Sequence, residues 1–164
     1  MKIIRQILLL AVTAAFLQVH AQNTGFTGNW KINLAKSEFN DAPSYTLSKA
    51  FDIMLTPSTT TIRRTNIADS GADSLSFEIS GTDGKNASLK NAGGFKEFKI
   101  GRSPDGKKLI ETFTYAGGED DLTFEGTETF ALSEDGKVLF VTKYVKNSTG
   151  FEYTVKGWYD RAAN

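Results

Sequence analysis

Three times this chain writes the same turn: Thr82-Asp83-Gly84-Lys85, Pro104-Asp105-Gly106-Lys107 and Glu134-Asp135-Gly136-Lys137. Asp-Gly between alternating apolar and polar runs is a strong hairpin signal, because tight hairpins need positive φ at their centre. Further breaks fall at Ser70-Gly71, Gly93-Gly94, Gly117-Gly118 and Thr149-Gly150. They read as turns rather than as phosphate cradles. Between the breaks lie short segments whose side chains alternate, the pattern of a sandwich or barrel. Candidate strands cover roughly 26–34, 49–56, 59–67, 74–80, 86–90, 95–102, 107–115, 121–132, 137–147 and 151–160. Helical periodicity is scarce and aromatics reach 12%, which also favours β structure. The stretch 35–48 has room for one helical turn but not for a pair of long helices.

The hairpins carry the alternation from strand to strand and so define an inward face. In 121–132 the even positions, Leu122, Phe124, Gly126, Glu128, Phe130 and Leu132, point in. A two-residue turn at Asp135-Gly136 sets Phe130 opposite Val141 and Glu128 opposite Lys143. The next connection, Ser148-Thr149-Gly150, has the odd length that brings Tyr153, Val155, Gly157 and Tyr159 to the same face. A turn at Asp105-Gly106 pairs Phe98 with Phe113, Ile100 with Glu111, and Lys96 with Tyr115. The Asp83-Gly84 turn yields no clear register, because 86–90 is too polar.

The chain opens with Lys2 and Arg5 before an apolar run from Ile7 to Leu17, then Val19-His20-Ala21. This is the pattern of a secretory signal peptide, with cleavage expected after Ala21. The run is shorter than the ~20 residues of a spanning helix, so the expected product, 22–164, is one domain without stable membrane insertion. Its location is secreted or periplasmic. Cleavage removes His20, the only histidine, and the chain has no cysteine. Ser-His-Asp and Cys-His chemistry is thereby excluded. The usual zinc, copper and haem ligands go too, so we expect no metal, no cofactor and no enzyme activity. With Lys2 and Arg5 gone, 17 basic residues face 19 acidic ones, and no basic run marks a nucleic-acid partner.

Residues Phe26 to Phe39, FTGNWKINLAKSEF, hold a Gly-x-Trp at the start of the first strand. Trp30 shares its face with Phe26, Gly28, Ile32 and Leu34, and therefore points in. If the first and last strands pair, Arg161 lies over Trp30 as a cation–π cover. That role is structural rather than ligand-binding.

These residues resemble the calycin superfamily of lipocalins and fatty-acid-binding proteins. Gly28, Trp30 and Arg161 match the lipocalin Gly-x-Trp and its late covering base. Phe26, Gly28, Trp30, Lys31 and Phe39 match the opening of fatty-acid-binding proteins, and the 157–161 segment matches part of their last strand. The resemblance implies a closed, up-and-down antiparallel β-barrel of roughly eight to ten strands, with room for side chains or one small ligand. Gly157 stands where those proteins carry a carboxylate-clamping Arg, and the two-helix lid is missing, so a fatty-acid clamp of that type is not expected. The opening is also similar to a group of secreted bacterial lipocalin-like proteins, through Gly28, Trp30, Lys31, Asn33, Lys36, Ser37 and Phe39; that likeness implies no activity.

Within such a barrel Glu111, Glu128 and Lys143 face inward among apolar neighbours. A charge there must be paired or hydrated. Glu128 and Lys143, directly opposite, would satisfy each other. The same groups would also serve as polar anchors in an apolar pocket. Phe98, Phe113, Tyr115 and Tyr153 would supply its walls, and a small hydrophobic or amphipathic molecule would be the ligand. Gly126 and Gly157 argue for an open interior, the large inward aromatics for a filled one. Paired carboxylates ~5–9 Å apart serve glycoside hydrolysis, but nothing else here points to a sugar cleft. On the outside, Phe140 falls opposite Trp158, with Val138 and Tyr144 on that face. It is either a surface for a protein partner or is covered by the 35–48 segment. Asn86 and Asn147 head glycosylation sequons by pattern, read here as ordinary strand or loop.

Overall fold

The structure is a computed structural model and describes residues 25–67, 71–81, 85–91, 94–117 and 122–163. The expected signal peptide and the Asp83-Gly84 turn lie outside the described residues. Ten strands follow one another: β1 (Gly28–Ile32), β2 (Ala50–Leu55), β3 (Thr59–Ile67), β4 (Asp73–Gly81), β5 (Ala87–Asn91), β6 (Gly94–Arg102), β7 (Lys108–Ala116), β8 (Thr123–Leu132), β9 (Val138–Asn147) and β10 (Glu152–Arg161). They form one antiparallel sheet in the order β4-β3-β2-β1-β10-β9-β8-β7-β6-β5. Every chain-consecutive pair except β4 and β5 is a ladder, and β1 pairs with β10 to bring the sheet round. The result is an all-β, up-and-down, nearly closed barrel. At the seam, Ile100 N–H of β6 donates to Ser80 Oγ of β4 at 3.3 Å. Two single 3-10 turns, Leu34–Lys36 and Ser44–Thr46, interrupt the long connection between β1 and β2. Among the described residues no helix is long and apolar enough to cross a membrane.

The hairpin turns explain the register. Ser103 and Lys108 close one loop and Ser133 and Val138 another, so each loop has four residues rather than two. Both are centred on Asp-Gly, so the pairings expected for the shorter turn survive: Phe130 with Val141, Glu128 with Lys143, Phe98 with Phe113 and Ile100 with Glu111. Only the glycine enters the left-handed region, at φ +70° for Gly106 and +67° for Gly136. The aspartate works through its side chain. Asp135 Oδ1 accepts from Ser133 Oγ at 2.7 Å and from Lys137 N–H at 3.1 Å, and Asp105 makes the same pair of bonds. These bonds hold both carboxyls below their ordinary pKa, the serine contact being the larger cause.

The barrel end nearest these turns is sealed. Trp30 is 1% exposed, and its indole N–H donates to Phe26 C=O at 3.0 Å. Arg161, its strand neighbour, stacks 4.2 Å from the ring centre. The same guanidinium donates to the carbonyls of Gly25, Thr27 and Gly136 and ties three chain segments together. Gly28 sits at φ +142°, and a Cβ there would stand 2.7 Å from Arg161 Nη1. The Gly-x-Trp spacing therefore serves the cover as well as the plug. Above the plug lies the apolar core: Phe51, Ile53, Ile62, Ile100, Leu109, Phe130, Leu139 and Tyr159.

Gly126 and Gly157 do not open the interior as expected. A Cβ at Gly126 would meet the Phe113 ring at 2.5 Å, and one at Gly157 the Tyr159 ring at 2.5 Å. Each glycine makes space that a neighbouring aromatic fills. On the outer face, Phe140 and Trp158 meet edge to face at 4.6 Å. Lys36 of the first 3-10 turn lies 5.1 Å over the Trp158 ring, and the Trp158 backbone N–H donates to Ser37 Oγ at 3.0 Å. That face is thus covered in part by the β1–β2 connection. A more exposed apolar stripe runs along β4 at Leu75, Phe77 and Ile79.

Replacing Trp30 by Ala is expected to destabilise the fold by roughly 3–5 kcal/mol, as deletion of a large core aromatic does. Urea unfolding checks this, and a near-neutral result would remove the plug assignment.

Candidate functional site

The site begins with an arginine that the fold buries. Thr56 N–H bonds Thr59 C=O at 2.9 Å across Pro57-Ser58, and this turn sets Phe51 opposite Arg64. The even positions of β3, Thr60, Ile62 and Arg64, consequently face the interior. Arg64 is 5% exposed, and three glutamates surround it, each from a different strand: Glu78 on β4, Glu111 on β7 and Glu128 on β8. Arg64 Nε donates to Glu78 Oε2 at 2.5 Å, Nη1 to Glu128 Oε2 at 2.6 Å, and Nη2 to Glu111 Oε2. Lys96 of β6 bridges the far oxygens, with its ammonium on Glu78 Oε1 and, at 2.5 Å, on Glu111 Oε1. The Phe51 and Phe130 rings flank the guanidinium at 5.1 and 5.8 Å. Five charged groups from five strands form one layer across the barrel.

This layer shifts its own titrations. Burial opposes the charge on Arg64, but Glu128, Glu111 and Glu78 outweigh it and raise its pKa well above the ordinary value. Burial alone would raise Glu78 as well; Arg64 and Lys96 reverse this and hold it below the ordinary carboxylate value. Glu111 goes the other way. Burial raises it, Arg64 and Lys96 pull it down, Glu78 and Glu128 push it up, and the net shift is upward. Three carboxylates surround two cations, and Glu111, the most deeply buried of the three, is the one whose charge burial and its carboxylate neighbours disfavour.

Above the layer the barrel is open. A cavity of about 820 Å³ has Arg64, Glu78, Lys96 and Glu128 at its floor. Its walls are Leu89, Phe113, Tyr115, Phe124, Val145 and Tyr153, with polar side chains from Ser48, Asn66, Ser74 and Ser76. Tyr45 and Thr46 reach over it from the second 3-10 turn. Lys143 enters from β9 and donates to Thr46 C=O at 2.9 Å. Burial lowers its pKa; Glu128 opposes that shift, while Arg64 and Lys96 add to it. Burial and the nearby Glu128 raise the Tyr153 hydroxyl.

Of the residues that the sequence pointed to, Phe113, Tyr115, Glu128, Lys143 and Tyr153 line this cavity. Phe98 and Glu111 do not; they are buried beneath it, Phe98 in the core and Glu111 in the ionic layer. The expected Glu128–Lys143 ion pair needs correction. The two are register partners, but Glu128 spends Oε2 on Arg64 and Lys143 turns to a backbone carbonyl. Arg64 takes Glu128 on the third edge of its planar fork, a geometry that suits a carboxylate better than a point-charge ammonium. Arg64 and Glu78 were not foreseen. A turn centred on Pro57-Ser58 would have found Arg64, because that centre alone places it beside Phe51. Lys96 already stood on the inward face, opposite Tyr115.

The all-β, up-and-down, nearly closed barrel is the architecture that the resemblance to lipocalins and fatty-acid-binding proteins implied. A crystal structure of a mutant of the fluorescent protein UnaG superposes with a TM-score of 0.53, over 85% of this chain and 98% of that one. Sequence identity is 17%, so the likeness carries the architecture and nothing finer. No family model and no curated protein matches the sequence.

Glu78→Gln and Glu111→Gln should separate the two carboxylates. Removing one partner of a buried ion pair costs about 3–5 kcal/mol. Glu78, held ionised, should approach that range at neutral pH, and Glu111, biased toward its neutral form, should lose less. The pH dependence follows from the signs. The folded pKa of Glu78 is depressed, so its contribution is present above the ordinary carboxylate value and fades as pH falls through the folded one. Glu111 is raised, so its ionised form is a burden that acid relieves. Denaturant unfolding of both variants across pH checks this, and an inverted order at neutral pH contradicts it.

Proposed function

We propose that this chain is a secreted or periplasmic binding protein that holds a small, partly apolar molecule in its barrel. One observation carries the reading: about 820 Å³ of the interior is left open above charged groups that already satisfy one another. Pockets of roughly 300–1,000 Å³, mostly apolar with a few polar groups, are the usual sites for small ligands. Leu89, Phe113, Phe124 and Val145 would bury the ligand's apolar part. Lys143, Tyr153 and the cavity side of Glu128 would orient its polar end. The calycin-like architecture is commonly put to this use.

A carrier rather than an enzyme fits the chemistry. Glu78 and Glu111 each have both oxygens engaged by Arg64 and Lys96, which leaves neither free to move a proton to or from a substrate. The leader-like first 21 residues support export. The alternative, a filled barrel that docks a partner through Phe140 and Trp158, is favoured less, because the interior is open and Lys36 already lies over Trp158.

Native mass spectrometry of the protein, purified from its own compartment without detergent, tests the reading. The expected result is an added mass that disappears on denaturation, together with a higher Tm for the loaded form. Ligand at about 100 times its Kd adds ~2.7 kcal/mol of stability. A bare mass, with no thermal shift on adding apolar molecules of cavity size, would contradict it.

A further inference from the structure

We propose that Lys143 is a reactive amine that takes a neutral carbonyl compound, an aldehyde or ketone on an apolar chain, as an imine within the cavity. The proposal rests on the ligand-holding reading above.

The other cavity cations are already consumed. Arg64 faces three carboxylates and Lys96 two. A ligand carboxylate would have to displace one of these buried partners. Lys143 is different. Its Nζ donates to the neutral Thr46 carbonyl, and among the described residues no carboxylate lies within ion-pair distance of it. Glu128, directly across the β8–β9 ladder, is turned toward Arg64.

The charge balance points the same way. Burial, Arg64 and Lys96 all oppose an ammonium at Lys143, and only the carboxylates Glu128 and Glu111 favour it. A desolvated lysine beside other cations is a recognised way to obtain a nucleophilic amine. The Tyr45 and Tyr153 side chains line the same cavity, where a hydroxyl can receive a carbonyl oxygen.

The chemistry needs no further reagent. The amine lone pair forms a C–N bond to the carbonyl carbon, and a proton passes from nitrogen to oxygen to give a carbinolamine. Loss of water breaks the C–O bond and leaves C=N. One water leaves per ligand bound, nothing is oxidised or reduced, and hydrolysis releases the cargo intact.

The test treats the full chain with decanal and sodium cyanoborohydride, maps the reduced adducts by peptide mass spectrometry, and uses decanol as the matched non-carbonyl control. We expect one dominant adduct at Lys143, formed roughly tenfold or more faster than at any other lysine, because binding concentrates the aldehyde beside one amine. Decanol should suppress it, and Lys143→Arg should lose it. The mapping is read on the unsubstituted chain, so the result does not depend on that variant folding. Adducts spread over surface lysines such as Lys31 and Lys156, or an unmodified Lys143, overturn the proposal. If decanol still raises the Tm in that case, the ligand-holding reading stands and only the imine falls. If neither decanol nor decanal shifts the Tm, both fall.

Discussion

One guanidinium organises the interior of this barrel. Arg64 meets carboxylates from β4, β7 and β8, and Lys96 ties two of them together from β6. Ions this deep are expensive to desolvate, and mutual attraction offsets the penalty only when nearly every lone pair and proton finds a partner. An arginine fork meets that demand better than an ammonium can, since its three edges lie in one plane at fixed angles. The strands that supply the partners come from both sides of the β4–β5 seam. The layer therefore links the two ends of the sheet where no backbone ladder does.

The rest of the interior follows from the position of that layer. Below it, apolar residues pack down to Trp30, and Arg161 covers the plug from outside. Above it, no large side chain completes the filling, and the space is bounded by aromatic rings, aliphatic side chains, the polar side chains of Ser48, Asn66, Ser74 and Ser76, and Lys143. A barrel packed throughout with leucine and phenylalanine would have no polar floor; one without the cations would hold three unpaired carboxylates. Burial, reinforced by the neighbouring carboxylates, raises Glu111, while Arg64 and Lys96 outweigh burial at Glu78, so the two titrate in opposite directions.

How much of this was legible depended on the turns. Where Asp-Gly marked a hairpin, as at 105–106 and 135–136, its centre set the register of β6 through β9 even though the loops are longer than expected. The inward positions of Glu111, Glu128 and Lys143 followed. The contacts between these groups did not, because Arg64 arrives from β3, and nothing local to β8 and β9 reports a side chain that crosses the barrel. Pro57-Ser58 carried the missing register but has no Asp-Gly signature. Glu78 was hidden for a related reason: the β3–β4 turn offered only Ser70-Gly71, which fixes no unique centre. Trp30, Gly28 and Arg161 were readable from both chain ends, since their spacing alone aligns plug and cover once β1 and β10 pair.

The most direct test of the account is nuclear magnetic resonance of the arginine side chains in uniformly ¹⁵N-labelled protein. If Arg64 is held on three edges by Glu78, Glu111 and Glu128, its Nε and Nη protons will give separate, exchange-protected signals at neutral pH, and rotation of its guanidinium will be slow. The exposed Arg63 supplies the internal reference for averaged, rapidly exchanging protons. Arg64 signals as averaged and as fast to exchange as those of Arg63 would contradict the buried ionic layer and, with it, the cavity floor on which the functional reading stands.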